Sequence, residues 1–190
     1  MTSNGPSKGP ARPVGVNHLV LNVRDIEASH RFYTEILGFE PVVEANLGTE
    51  MRFYRSGPGH HHDIALAQVK DPADQPPVPD RYRVSARRAG VNHIAVAYPD
   101  RESFLQMLHH LQDNEVPIAL RGNHGMTHSA YVMDPDGNGI EVLYELPAEV
   151  WEGDLPKAMM YFENLPKEGP GMLEDRTDVP VFAAEAGTGA

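Results

Sequence analysis

Apolar and polar positions along the chain alternate in short runs, pause for one amphipathic stretch, and then repeat that order. Residues 16–23 alternate and are rich in branched aliphatic side chains, which predicts a strand. Asp25 is a suitable N-cap for a helix near 26–37, with Gly38 as its stop. Ile26, Tyr33, Ile36 and Leu37 give that helix one apolar stripe. Strands follow near 39–45, 50–55 and 61–69, bounded by Asn46-Leu47-Gly48 and Ser56-Gly57-Pro58-Gly59. A second set runs as strand 91–98, helix 100–114 carrying Phe104, Leu108 and Leu111, and strands near 117–121, 127–133 and 138–145. The turn Asp134-Pro135-Asp136-Gly137-Asn138-Gly139 suits a hairpin, because Pro fixes one dihedral and Gly or Asn accepts positive φ.

The repeat is visible in the residues as well as in the pattern. Gly15-Val16-Asn17-His18-Leu19-Val20 returns as Gly90-Val91-Asn92-His93-Ile94-Ala95, and an Asp follows each copy (Asp25, Asp100). A period of this size fixes an architecture before any single motif is weighed. Each copy reads β-α-β-β-β. The chain divides into a loose N-terminal tail (1–13), a first module (14–70), a polar, Pro-rich linker (71–89), a second module (90–146) and a C-terminal extension (147–190). Trp151, Met159, Met160, Tyr161 and Phe162 are candidates for wrapping that extension onto the domain, and its last dozen residues are expected to be disordered.

Composition narrows the chemistry. With 190 residues, 41% hydrophobic and 23% charged, the chain is long enough to bury a core. Sixteen Lys and Arg against 27 Asp and Glu leave a net charge of −11, which disfavours nucleic acid and anionic membranes. The absence of Cys removes disulfides, thiolate metal sites and a thiol nucleophile. No run approaches the length of a membrane span, and the N-terminus lacks the apolar core of a signal peptide. The expectation is a soluble cytoplasmic protein whose reactive groups are histidines and carboxylates.

Strand alternation then sorts those groups by face. In the first strand Leu19, Leu21 and Val23 face the helix, leaving His18, Val20 and Asn22 opposite. In the second copy Ile94, Val96 and Tyr98 take the helix side and leave His93, Ala95 and Ala97 opposite. Ile140, Val142 and Tyr144 form an apolar row, leaving Glu141, Leu143 and Glu145 on the other side. His18, His93 and Glu141 therefore lie away from the helices. If the two sheets curl around a shared cavity, two imidazoles and one carboxylate converge and leave adjacent positions open. That is the facial arrangement of non-haem Fe(II) oxygenases. Asn17 and Asn92 precede both histidines, and alternation turns their side chains to the opposite face, away from any role.

With these pieces in place the chain resembles the vicinal oxygen chelate superfamily and, more narrowly, the small one-domain type I extradiol catechol dioxygenases. The resemblance spans about residues 14–145 and is carried by VNHLVLNV, RFYTEILGF, HHDIAL, VNHIAV and HGMTHSAYVMDPDGNGIEVLYE. It implies an α+β fold of paired βαβββ modules, a curled mixed sheet around a metal-containing cavity, and helices outside. It also implies Fe(II), replaceable by Mn(II), on His18, His93 and Glu141, with a catechol-type diol and O2 as substrates. The family's catalytic histidine falls on His62, a second active-site histidine on His124, and the active-site tyrosine on Tyr131. His128 is the alternative to His124; the seven-residue step from His124 to Tyr131 favours the former. By alternation, a strand over 61–69 sets His62 on the same face as Ile64 and Leu66. By the same resemblance His62 serves as acid and base, while His124 and Tyr131 hydrogen-bond the substrate. A homo-oligomer is the default expectation for paired modules.

Two other readings compete. A glyoxalase- or epimerase-like enzyme of the superfamily commonly takes a fourth protein ligand from the first module's last strand. This strand offers His62-Asp63 and no Glu. A metal-free binding protein of the same fold does not need His18, His93 and Glu141 together.

Overall fold

The structure is a computed structural model that describes residues 13–83, 89–176 and 178–184. The first module forms strand β1 (Leu19–Val23), helix α1 (Ile26–Arg31), and strands β2 (Glu40–Asn46), β3 (Glu50–Arg55) and β4 (Ile64–Gln68). The second forms β5 (His93–Ala97), α2 (Arg101–Asp113), β6 (Leu120–Asn123), β7 (Thr127–Met133) and β8 (Gly139–Glu145). The extension adds two short helices, α3 (Ala148–Trp151) and α4 (Leu155–Met160), and a two-residue strand, β9 (Glu163–Asn164). Both modules therefore have the order expected from the pattern, as does the mixed α+β class.

Helices α1 and α2 start where their caps predict. The Asp25 carboxylate accepts from the backbone N–H groups of Glu27 and Ala28, each at 3.0 Å. Asp100 accepts from Ser103 N–H at 2.8 Å. These bonds satisfy donors that a helix N-terminus leaves open. The first helix ends differently from the simple expectation. Its last turn, Phe32–Ile36, widens into a π-turn, with Leu37 N–H bonding to Phe32 O at 3.0 Å, before Gly38 at φ +79° reverses the chain. The wider turn lets Phe32, Tyr33, Leu37 and Phe39 all reach the core.

The strands assemble as two mixed sheets, β1-β4-β3-β2 and β5-β8-β7-β6-β9, not closed into a barrel. In each module the first strand pairs parallel with the last, Leu19 opposite Ile64 and His93 opposite Gly139. Side-chain alternation holds. Val23, Ile94, Ile140, Val142 and Tyr144 join Tyr33, Phe104 and Leu108 in one core between sheets and helices. The 134–139 turn does more than join two strands. Asp134 accepts from Asn138 N–H at 2.7 Å within the turn and from the Tyr33 hydroxyl of the first module at 3.1 Å. Asp136 accepts from Arg24 N–H at 3.0 Å and Ser29 Oγ at 3.2 Å. The turn thereby clasps the two modules. Burial raises the Asp134 pKa, its hydrogen-bond donors opposing the shift, and burial also raises the Tyr33 hydroxyl.

The extension is more ordered than its composition suggests. Arg121, 1% exposed, donates to the carbonyls of Gly171 and Met172 at 3.2 and 2.9 Å and to the Asp175 carboxylate at 3.1 Å. His128 Nδ1 and the Tyr144 hydroxyl reach the same carboxylate at 2.8 and 2.7 Å. Four polar groups, from three strands and the extension, meet at one buried carboxylate, while Arg121 Nε and His128 Nε2 have no hydrogen-bond partner among the described residues. Within the span expected to be disordered, Phe182 is buried and its N–H bonds Val150 O at 2.7 Å. Residues 185–190, like the tail residues 1–12, lie outside the described residues. Of the wrapping candidates, Met159 and Met160 are exposed, whereas Trp151 donates its indole N–H to Leu146 O at 3.0 Å. Among the described residues no helix is long and apolar enough to cross a membrane.

Candidate active site

The second sheet brings four of the six candidate residues into one chain of contacts. Antiparallel register sets Tyr131 of β7 directly opposite Glu141 of β8, and parallel register sets Ala95 of β5 beside Glu141, with His93 two residues before it. Residues paired across strands share a face. The Tyr131 hydroxyl donates to Glu141 Oε1 at 2.8 Å and lies 3.0 Å from His124 Nε2. A hydroxyl carries one proton, so His124 must donate here through Nε2–H. The second carboxylate oxygen, Glu141 Oε2, lies 3.0 Å from His93 Nε2. Glu141 is 6% and Tyr131 3% exposed.

His93 Nδ1 is engaged by Asn92 Oδ1 at 2.8 Å, and His18 Nδ1 by Asn17 Oδ1 at 2.7 Å. The two modules thus use one device. An amide oxygen holds the proton on Nδ1 and leaves Nε2 as a free lone pair, the form in which imidazole binds a metal. Alternation pointed both Asn side chains away from the site. Asn17 and Asn92 lie just before β1 and β5, where the strand pleat does not yet dictate direction, so each curls onto its own neighbour. The signal was in the sequence, since Asn-His recurs at equivalent positions of the repeat.

For His93 the consequence is specific. With Asn92 Oδ1 engaged at Nδ1, the ring turns Nε2 toward a carboxylate oxygen 3.0 Å away. Two acceptors do not face each other at that distance without a cation between or beside them, either a proton or a metal ion. With metal–nitrogen and metal–oxygen bonds of about 2.1 Å, a 3.0 Å edge suits neighbouring ligands of one divalent ion. The donor set therefore fits a divalent cation at His93 and Glu141.

The first sheet contributes differently. His18 packs its ring against His62, with centroids 4.4 Å apart, and against His61 at 5.9 Å. Among the described residues no three His, Asp or Glu side chains are gathered tightly enough to hold an ion as they stand. His18, His93 and Glu141 are thus two neighbours and a third residue seated in the imidazole cluster of the first module. His62 does not share the face of Ile64 and Leu66, because β4 begins only at Ile64. His62 lies in the preceding loop, beside His18 and edge-on to Phe53 at 5.1 Å. Burial, then the surrounding imidazoles, lowers its pKa and favours the neutral ring.

His128 and His124 separate cleanly. His128 pairs with Tyr144 on the core face, wholly buried and bonded to Asp175, whereas His124 meets Tyr131 on the opposite face. Burial lowers the His124 pKa, with Glu141 opposing the shift. Burial raises that of the Tyr131 hydroxyl, and the Glu141 charge raises it further. Near neutral pH the trio is a neutral imidazole, a protonated phenol and an acidic side chain.

Comparison with known proteins identifies the family and the fold. The sequence profile of the Glyoxalase/Bleomycin resistance protein/Dioxygenase superfamily matches residues 15–142. A catechol-2,3-dioxygenase of Bacillus subtilis (strain 168) is 27% identical over 139 residues, covering 73% of this chain and 44% of that protein. A lactoylglutathione lyase of Pseudomonas putida is 28% identical over 160 residues, covering 69% of this chain and 85% of that protein. A biphenyl-2,3-diol 1,2-dioxygenase of Rhodococcus globerulus is 28% identical over 125 residues, covering 66% and 60%. The chain thus spans about half the length of the two dioxygenases it matches. Among solved structures, a glyoxylase/bleomycin resistance protein/dioxygenase domain from Frankia sp. EAN1pec superposes with TM-score 0.57 at 20% identity, covering 71% of this chain and all of that one. A glyoxalase/dioxygenase from Nostoc punctiforme gives 0.53 at 24% identity, covering 73% and 98%.

Proposed function

The chain belongs to the glyoxalase/bleomycin resistance protein/dioxygenase superfamily, and from that premise we propose that it is an extradiol dioxygenase opening a catechol-type ring. The observation that carries the reading is the approach of His93 Nε2 to Glu141 Oε2 at 3.0 Å while Asn92 occupies Nδ1, a spacing that suits neighbouring ligands of one divalent ion. His93, Glu141 and His18 would hold Fe(II), or Mn(II), since no soft ligand discriminates between them. When bound, such an ion supplies the positive charge that acidifies a diol and the redox partner that O2 requires.

The chain's own groups then have separable tasks. Tyr131, its proton directed to Glu141 and its oxygen receiving the His124 proton, stands beside the acid as a polarisable hydrogen-bonding post for a diol oxygen. His124, neutral and donating through Nε2, can strengthen that post as negative charge grows on the substrate. His62, neutral and next to His18, is suited to take a proton and return it as the ring opens. Both atoms of O2 end in the product, a ring-opened semialdehyde or keto acid.

A second reading, a metal-assisted isomerisation like that of a lactoylglutathione lyase, is favoured by the fuller coverage of the Pseudomonas relative, 85% against 44% and 60% for the dioxygenases. One experiment separates them. Protein loaded anaerobically with Fe(II) is exposed to air with a panel of catechols, and separately to a glutathione hemithioacetal. Oxygen uptake with a yellow ring-fission product supports ring cleavage; hemithioacetal turnover without oxygen uptake supports the lyase.

A further inference from the structure

Two glycines on the Tyr131–Glu141 face of the second sheet are covered by aromatic rings from outside the repeat. Gly122 of β6 pairs with Ser129, and Gly139 of β8 pairs with both His93 and Met133. A Cβ on Gly122 would lie 2.4 Å from the Phe162 ring, and one on Gly139 would lie 2.3 Å from the Tyr82 ring. Neither glycine is among those with positive φ, so backbone conformation does not call for glycine there. The rings do. Phe162 arrives from the C-terminal extension, which β9 pins to the sheet edge through Gly122–Asn164 and Asn123–Glu163 pairing. Tyr82 arrives from the linker, its hydroxyl donating to Asn92 O and lying 3.1 Å from Asn92 Oδ1, the atom that also holds His93 Nδ1.

Both rings abut the catalytic groups. Phe162 lies 5.0 Å from the His124 ring, and Tyr82 stacks on Tyr131 at 6.4 Å and 20°. Phe162 keeps 44% of its surface exposed, so an apolar ring is held open next to buried polar chemistry. On the Tyr82 side a cleft of about 700 Å³ runs past Leu120 and Met133, with Arg81 and Lys167 on its rim, ample for a drug-sized molecule.

We propose that Phe162 and Tyr82 are specificity-determining walls that select a planar aromatic body, with an aryl or alkyl substituent directed into the cleft beside Tyr82. This deepens the ring-cleavage reading and rests on it for the diol end, whereas the walls themselves recognise ring faces. Stacking on an aromatic wall prefers a flat, electron-rich partner over a flexible peptide thioether.

The test measures anaerobic binding of 3-phenylcatechol, catechol and S-hexylglutathione by calorimetry, with oxygen uptake recorded separately. Phe162→Ala is expected to weaken 3-phenylcatechol about 10-fold and catechol less than about 3-fold, with Phe162→Trp restoring binding. Gly122→Ala should reproduce that loss, because its methyl displaces the far edge of the Phe162 ring rather than the backbone. Tyr82→Ala should weaken the same ligand, and Tyr82→Phe should not. If Phe162→Ala and Tyr82→Ala leave 3-phenylcatechol within 2-fold of wild type, or wild type binds S-hexylglutathione more tightly, the proposal is overturned. Phe162-dependent binding without oxygen uptake sinks the ring-cleavage reaction and leaves the walls standing.

Discussion

The two halves of the candidate site are built from the same repeat yet finished in opposite ways. On β1 of the first module Val20 is 49% exposed, and on β2 Val42 and Val43 are exposed as well. On β8 of the second module every residue from Gly139 to Tyr144 is buried. The covering layer is Tyr82 from the linker and Phe162 from the extension on the Tyr131 side, and the Arg121–Asp175–His128–Tyr144 cluster on the other. Duplication supplied two equivalent histidines, and unequal covering gave them unequal settings. His93 sits in a hydrogen-bonded chain of fixed geometry, whereas His18 sits in an open cluster of imidazoles. Burial holds the Tyr131 phenol protonated on the covered side, whereas the open side leaves His18 exposed to solvent.

Removing the covered half's acid should have the largest effect. Glu141→Ala is expected to lose metal retention, measured by elemental analysis after gel filtration. Turnover should fall at least ~1000-fold, equivalent to about 4 kcal/mol. If His18→Ala retains less metal than Glu141→Ala, the open half dominates and the comparison is inverted.

Next comes the clamp that makes the covering possible. Asp175→Ala leaves Arg121 and His128 without their shared partner in a dry site and should cost ~3–5 kcal/mol of unfolding free energy, read by Trp151 fluorescence in urea. The same residue sets an acid limit. Burial pushes the Asp175 carboxyl up, but hydrogen bonds from His128 and Tyr144 and the charges of His128 and Arg121 outweigh it and hold the pKa below the ordinary value. A carboxylate depressed in the folded state stabilises fully above its unfolded pKa of about 3.9, and that stability is lost as pH falls through the lower folded value. Asp175→Asn should therefore flatten the acid limb of the stability curve. An unchanged limb would mean that other carboxylates govern it.

In the open half, His62→Ala should keep the metal and slow turnover about 100-fold, with the pH–rate profile losing one limb. The smallest effect tests the shared device. Asn17→Ala and Asn92→Ala should each weaken metal binding about 10- to 100-fold by calorimetry. Asn17→Ala should be the more damaging, because His93 is also held by Glu141 and by the Tyr131 ring edge-on at 5.4 Å, whereas His18 has exposed imidazoles beside it. Equal losses would argue that covering does nothing for ligand geometry.

Much of this was legible from residue order. Alternation alone sorted Leu19, Leu21 and Val23 from Val20 and Asn22, and Ile140, Val142 and Tyr144 from Glu141, because a pleated strand sends successive side chains to opposite faces. Caps and turns at Asp25, Gly38, Asp100 and 134–139 followed from local hydrogen bonding and allowed φ, which need no distant partner. The resemblance, not periodicity, singled out Tyr131 and His124. Where a residue stood outside a strand, the pattern misled: His62 precedes β4, and Asn17 and Asn92 precede β1 and β5, so no pleat fixes their direction.

The sequence by itself determined the duplicated module, the faces of its strands and the set of residue types available for chemistry, since these depend on contacts a few residues apart. Only the tertiary structure decided that the two modules form separate sheets, that His128 belongs to the core and His124 to the face of Tyr131 and Glu141, and that Tyr82 and Phe162 fill the spaces over Gly139 and Gly122. Those outcomes depend on segments far apart in sequence competing for the same surface. Burial settles that competition across the whole fold, and no local pattern records it.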